Sequence, residues 1–213
     1  MNDINPEGEK LNPDAAMAVA EESAKETGHK NLPGFGDLPI PDDTANLRLG
    51  PNLHDGLLAL LPLIGVWRGQ GQAANPGEEE FTFGQQLVFA HDGENRIRME
   101  SRTWRMDSDG KPLDTPDRRE SGFWRINDKD EIELILTHSD GMVEILYGKP
   151  MTERAWELES ASTMVTATGP AQLGPGKRLY GLMPNNDLGW VDERLIDDEM
   201  KPWLSAQLHR VVG

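Results

Sequence analysis

With no cysteine among its 213 residues, this chain has no thiolate nucleophile, no thiolate metal or haem ligand and no disulfide framework. Its nitrogen ligands for a transition metal reduce to five histidines, His29, His54, His91, His138 and His209, and no two of them stand at the spacing of a ligand pair. His91 and His138 fall at the edges of turns, His29 in a polar leading segment and His209 in a closing strand beside Arg210. Each is therefore read as exposed or hydrogen-bonded rather than ligating. Carboxylates cluster at Asp42-Asp43, between Asp128 and Glu133, and at Asp197-Asp198-Glu199, all in polar, turn-like contexts. With nothing apolar around them to push their pKa values apart, they do not make a general acid and base. There is no Gly-x-Ser-x-Gly, no Walker loop and no His-Glu-x-x-His. Gly69-Gln70-Gly71-Gln72-Ala73-Ala74 fits a relaxed dinucleotide-binding fingerprint, but its successor, Asn75-Pro76-Gly77-Glu78-Glu79-Glu80, is an acidic turn where that motif needs a helix N-terminus.

The elements that must position these groups are mostly strands. In Gly65-Val66-Trp67-Arg68-Gly69-Gln70-Gly71, three glycines and a tryptophan alternate with bulkier residues, which is the period of a strand with two unlike faces. Glycine at every second position marks a strand that bends or lets another group approach its backbone. Strand-like runs then recur at 64–73, 80–91, 97–105, 121–127, 132–137, 142–148, 155–159, 164–168, 178–183, 188–195 and 203–212. They are separated by explicit turns such as His91-Asp92-Gly93, Ser108-Asp109-Gly110 and Ser139-Asp140-Gly141. The pattern predicts an all-β antiparallel meander, and closure into a barrel would remove its exposed edges. Six tryptophans, at 67, 104, 124, 156, 190 and 203, lie in or at the start of these runs and are expected to fill the barrel core, with lining of an apolar cavity as the alternative.

Residues 1–52 differ from the rest in being rich in Asn, Asp, Glu, Pro and Ala, and are read as an extension to a barrel spanning 53–213. Asn12-Pro13 before a helix-forming run at 15–25 predicts a short helix, and residues 32–41, with three prolines and two glycines, predict an extended segment pinned by Phe35 and Leu38. A second short helix is expected at 53–61. The formal charge of −16 and pI near 4.6 set up a field that repels phosphate backbones and anionic lipid, so neither nucleic acid nor membrane is expected as a partner. The acidic leading residues lack the layout of a secretory signal, and the apolar run 57–66 is too short to span a bilayer. A cytoplasmic protein is the expectation.

The residues Leu60-Leu61-Pro62-Leu63-Ile64-Gly65-Val66-Trp67-Arg68-Gly69-Gln70-Gly71 resemble the opening strand of the nitrobindin family, formerly described as fatty-acid-binding-protein-like. Further blocks agree in order: Phe83-Gly84-Gln85-Gln86, Glu100-Ser101-Arg102-Thr103-Trp104, Gly122-Phe123-Trp124-Arg125, His138-Ser139-Asp140-Gly141 and Lys201-Pro202-Trp203-Leu204. The leading extension looks like that of an actinobacterial subgroup. The resemblance implies a ten-stranded antiparallel up-and-down barrel, with Gly65, Trp67, Gly69 and Gly71 as family motif. It implies a homodimer, and in haem-binding relatives a haem b at one mouth that binds nitric oxide and isomerises peroxynitrite to nitrate.

In those relatives the iron is held by a histidine in a Pro-His-Leu context on the last strand, and the matching residues here are Pro202-Trp203-Leu204. Trp203 thus stands where the resemblance implies the ligand, and an indole nitrogen has no lone pair to give iron. His209, six residues on, would lie roughly 20 Å along the strand. The segment between Trp104 and Glu120, which in relatives lies over the distal face, holds no histidine, and Lys177 matches a position facing the pocket. No cofactor is therefore expected, nor any catalytic or metal-ligating residue. Two readings stay open: a non-enzymatic barrel that binds another apolar ligand or serves as an interaction module, or a haem protein that isomerises peroxynitrite with His54, His91 or His138 as ligand. A lipid carrier of lipocalin type is a third, resting on fold alone.

Overall fold

The computed structural model describes residues 13–29, 39–74, 79–170 and 175–213. It divides into two compact units, Met1–Ile40 and Pro41–Gly213. In the first, the helix α1, Pro13–Glu26, begins at Pro13, the first helical position expected from the sequence. The extended segment expected at 32–41, with Phe35 and Leu38, lies largely outside the described residues.

The second unit is a closed antiparallel barrel of ten strands: β1 Gly65–Ala73, β2 Phe81–Ala90, β3 Ile97–Met106, β4 Pro112–Ile126, β5 Ile132–His138, β6 Met142–Thr152, β7 Ala155–Val165, β8 Gly176–Leu182, β9 Leu188–Ile196 and β10 Glu199–Val212. Each strand pairs with its neighbours in sequence, and β10 returns to β1 to close the wall. Two expected elements change. The run at 164–168 is the end of β7 rather than a strand of its own. The segment between Trp104 and Glu120 is not a loop, since β4 begins at Pro112 and pairs back through Met106↔Pro112 and Trp104↔Pro116. Its polar, twice-proline sequence carries no alternation to read, because this part of the hairpin is exposed on both faces.

One end of the barrel is closed by a 3-10 helix, Asp55–Leu63, whose buried residues Leu57, Leu60 and Leu63 recur every third position, the period of that helix. Its carbonyls are capped from the wall. Trp156 Nε1 donates to Ala59 O at 2.8 Å, Trp67 Nε1 to Leu63 O at 2.8 Å, and Arg210 to Pro62 O at 2.7 Å and to Ile64 O. Upstream, Thr44 forms an antiparallel bridge with His91 just beyond β2, tying residues 41–50 to the barrel wall.

The glycine alternation of β1 answers to the seam with β10. Gly69 faces inward, and a Cβ there would overlap the carbonyl oxygen of Gln207 and lie 2.9 Å from Leu208 Cα. A Cβ at Gly71 would meet the Phe83 ring and the Ser205 carbonyl. Only hydrogen fits where β1 and β10 approach. Gly69→Ala is therefore expected to lower stability by about 1–3 kcal/mol, as overpacking does. Gly181→Ala, whose new methyl would meet nothing nearer than Arg154 O at 3.7 Å, should stay within about 0.5 kcal/mol. Urea unfolding midpoints of the two variants beside the native chain check this, and equal losses would contradict it.

Candidate functional site

Inside the barrel the side chains form two unlike layers. Next to the 3-10 helix lies an apolar layer built on Trp67, Phe89, Trp124, Trp156 and Tyr180, all buried. Within it Trp124 meets Phe89 and Tyr180 edge-on at centroid distances of 5.8 and 5.2 Å, and Trp190 stacks on Tyr180 at 6.1 Å. Beyond it the interior turns polar. Trp190 Nε1 donates to Gln85 Oε1 and Gln85 Nε2 to Ser101 Oγ, both at 2.8 Å.

Past Ser101 stands a closed ring of six buried, alternating charges. Arg178 donates to both oxygens of Glu120 at 2.7 and 3.2 Å, and its Nη2 lies 3.0 Å from Asp192. Asp192 also meets Arg194, at 3.0 Å from Nη2 and 2.8 Å from Nε, the latter without hydrogen-bond alignment. Arg194 donates to both oxygens of Glu144 at 2.6 and 2.9 Å. His138 completes the circuit, with Nε2 3.1 Å from Glu144 and Nδ1 3.3 Å from Glu120, the latter without hydrogen-bond alignment. The members come from β4, β5, β6, β8 and β9, each on the inward period of its strand, and none of the six side chains exceeds 5% exposure.

An imidazole flanked by carboxylates on both nitrogens must carry both protons to donate to each. Only as imidazolium does His138 balance three carboxylates against three cations. Burial works against its charge, but the adjacent Glu120 carboxylate and the hydrogen bond donated to Glu144 prevail and hold its pKa above the ordinary value. Burial likewise opposes ionisation of Glu144 and Glu120, and is outweighed by the Arg194 hydrogen bonds at the first and by the Arg178 charge at the second. Both carboxyls are held well below the usual range. Burial and the neighbouring Glu120 push the Tyr180 hydroxyl up to about 12, against the pull of Arg178.

Over this ring, at the mouth opposite the 3-10 helix, sits Trp203. It is the extra residue of a β-bulge between Pro202↔Glu193 and Leu204↔Asp192, which turns its ring inward at 6% exposure. The Arg118 guanidinium lies 4.4 Å and that of Arg194 5.3 Å from its ring. A cavity lined by Gln85, Ser101, Thr103, Asp117, Arg118 and Leu204 among others measures about 10 Å³, room for one water. A larger groove of about 580 Å³ opens on the outer wall instead, floored by Gly181 and Gly189 and walled by Leu179, Val191 and Met183.

The sequence-derived residues therefore separate. Gly65, Trp67, Gly69 and Gly71 build the seam and the closed end, and Trp203 lies at the other mouth. Lys177 is not in the interior. It faces outward, 2.9 Å from Glu157, and its neighbour Arg178 is the residue that turns in. His138, read as exposed or hydrogen-bonded, is the latter, a buried member of the ring, and His91 is buried against residues 41–50 with neither ring nitrogen hydrogen-bonded among the described residues. His54 caps the 3-10 helix by accepting from Gly56 N, and His209 faces outward opposite Arg68. Among the described residues no cluster of His, Asp or Glu is arranged to hold a metal, and no helix is long and apolar enough to cross a membrane. Glu120, Glu144, Asp192, Arg178 and Arg194 do not stand out in the sequence, although each shares its strand's inward period with a buried apolar residue, as Arg178 does with Tyr180.

The model of the THAP4-like, heme-binding beta-barrel domain matches residues 56–210. This chain belongs to the nitrobindin family. It is 81% identical over 204 residues, 96% of each chain, to a ferric nitrobindin-like protein of Corynebacterium jeikeium. It is 46% identical over 209 residues, 94% of this chain and 97% of the relative, to a protein of Rhodococcus jostii named peroxynitrite isomerase 2. Among solved structures, Rv2717c from M. tuberculosis superposes with a TM-score of 0.63 at 30% identity, covering 75% of this chain and 99% of that one. The ten-stranded nitrobindin barrel implied by the resemblance is the fold observed.

The pH response of the ring is set by its charges. His138, with its pKa raised on folding, contributes stability in full below its ordinary value of 6.5 and loses it as pH rises through the shifted value. The two glutamates, with lowered values, contribute above the usual carboxylate range and fail only in strong acid. Urea midpoints taken from about pH 6 to about pH 9 should fall for the native barrel and stay flatter for His138→Gln. Arg194→Met, which leaves Glu144 and Asp192 without their shared cation, should lose about 3–5 kcal/mol. Parallel pH curves for the native chain and His138→Gln would contradict the buried imidazolium.

Proposed function

We propose that this chain is a member of the nitrobindin family that does not seat a haem, and that it is a binding protein rather than a peroxynitrite isomerase. The observation that carries this reading is Trp203, buried at the mouth against Arg118 and Arg194, where the cavity beside Arg118 measures only about 10 Å³. In relatives, the resemblance implies, a histidine at this position holds the iron, and the residues here do not fit that group. An indole offers no lone pair, and the macrocycle has no room in the described interior.

The other histidines of the barrel do not replace the ligand. His138 has its two nitrogens set against Glu120 and Glu144 within the ring, His54 and His91 stand at the end closed by the 3-10 helix, and His209 points outward. A filled interior also moves the apolar-ligand reading to the outer groove beside Leu179, Val191 and Met183, which is large enough for a small molecule. The charge of −16 supports a chain that keeps clear of nucleic acid and anionic membrane.

The name of the Rhodococcus jostii relative favours the other reading, a haem b protein acting on peroxynitrite, and one pair of measurements divides them. Titrated with hemin, the native chain is expected to give no saturable Soret band and to leave peroxynitrite decay at the rate of buffer. Trp203→His, which restores an imidazole and frees space, is expected to gain the band. A stoichiometric ferric-histidyl Soret band in the native chain, with accelerated decay, would overturn the proposal.

A further inference from the structure

The barrel wall carries a row of cations that the acidic surface does not neutralise. Pairing registers place Arg68 on β1 opposite Gln86 on β2, Gln86 opposite Arg102 on β3, and Arg102 opposite Arg119 on β4. On the other side of β1, Arg68 faces His209 on β10. All lie on the outward period, and Arg68, Arg102, Arg119 and His209 are exposed. At a strand spacing of about 4.8 Å the three arginines span roughly 14 Å in a line perpendicular to the strands.

Arg102 and Arg119 stand directly opposite each other, an arrangement that disfavours the sheet. Neighbouring carboxylates do not relieve it. Glu100, the next outward residue on β3, is held by Arg98, and Asp117 is held by Arg105 at 3.3 Å and by Thr103 at 3.0 Å. Arg68, Arg102 and Arg119 have no ion-pair partner among the described residues. In a chain with 37 acidic and 21 basic residues, three adjacent unneutralised arginines are an uncompensated charge that the fold itself does not use.

We infer that this row is a docking surface for a short acidic segment of a partner protein. Guanidinium forks take carboxylates in paired hydrogen bonds, and Gln86, in line with them, offers an amide to a peptide backbone. Carboxylates two residues apart on an extended segment are about 6.8 Å from one another, a spacing the long arginine side chains span. The net charge of −16 selects the length. A nucleic acid or a vesicle surface meets the whole repulsive field, whereas a segment with three or four carboxylates lies within about one Debye length of the row. A second copy laid on by a two-fold axis through the row would set arginine against arginine.

The test uses the full chain and a labelled octapeptide of alternating glutamate and serine, with fluorescence anisotropy as the readout. Saturable binding is expected that weakens roughly tenfold or more in Arg102→Glu/Arg119→Glu and on adding salt, with Arg125→Glu, whose partner is Glu133, unchanged. The neutral pair Arg102→Gln/Arg119→Gln is expected to keep or raise the unfolding temperature while losing the peptide, which a structural role would not allow. Binding that survives charge reversal would overturn the inference. So would a single-stranded octanucleotide or phosphatidylserine vesicles binding more tightly than the peptide, or a fall in unfolding temperature in the neutral pair.

Discussion

A closed circuit of six charges inside the barrel sets what the rest of the structure is free to do. Asp192, Arg178, Glu120, His138, Glu144 and Arg194 alternate in sign around the bore, and each is fully or nearly fully removed from water. Charges so placed are tolerated only when every member is matched, because a single vacancy leaves a bare ion in a low-dielectric interior. The circuit therefore fixes the relative positions of five strands more narrowly than apolar packing would. It also partitions the bore, with aromatic rings and the 3-10 helix on one side and the mouth covered by Trp203 on the other.

That partition explains why Trp203 can be where it is. A bulge in β10 rotates its side chain out of the wall and over the circuit, and the Arg194 guanidinium beneath, together with Arg118 beside it, gives the indole face a cationic bed. The aromatic cover shields the circuit from solvent, so closing the mouth and keeping the charges dry are one act of packing.

The β architecture was legible because turn residues and alternation are local signals. His91-Asp92-Gly93 and Ser139-Asp140-Gly141 punctuate the strands, and Gly65 to Gly71 announce the seam. A short helix was expected at 53–61, and a 3-10 helix stands two residues later at Asp55–Leu63. The charged circuit was not legible, since its members are scattered over 75 positions from Glu120 to Arg194 and each looks like an ordinary polar residue of a half-exposed strand. Which of Lys177 and Arg178 turns inward depends on the register of β8 against β9, and that is decided by pairing rather than by residue type. The early half of β4 gives no signal because exposed, proline-bearing pairing leaves no hydrophobic trace.

The plug and the seam share a fastener. Arg210, near the end of β10, lies 4.1 Å over the Trp67 ring and donates to the carbonyls of Pro62 and Ile64, so the last strand grips both the first strand and the helix that precedes it. These contacts join positions 146 and 148 residues apart. During synthesis, then, neither the wall nor its stopper can be completed until β10 has emerged. The nascent chain must carry an open sheet with two unpaired edges up to that moment, which places the burden of avoiding aggregation on its dense negative charge.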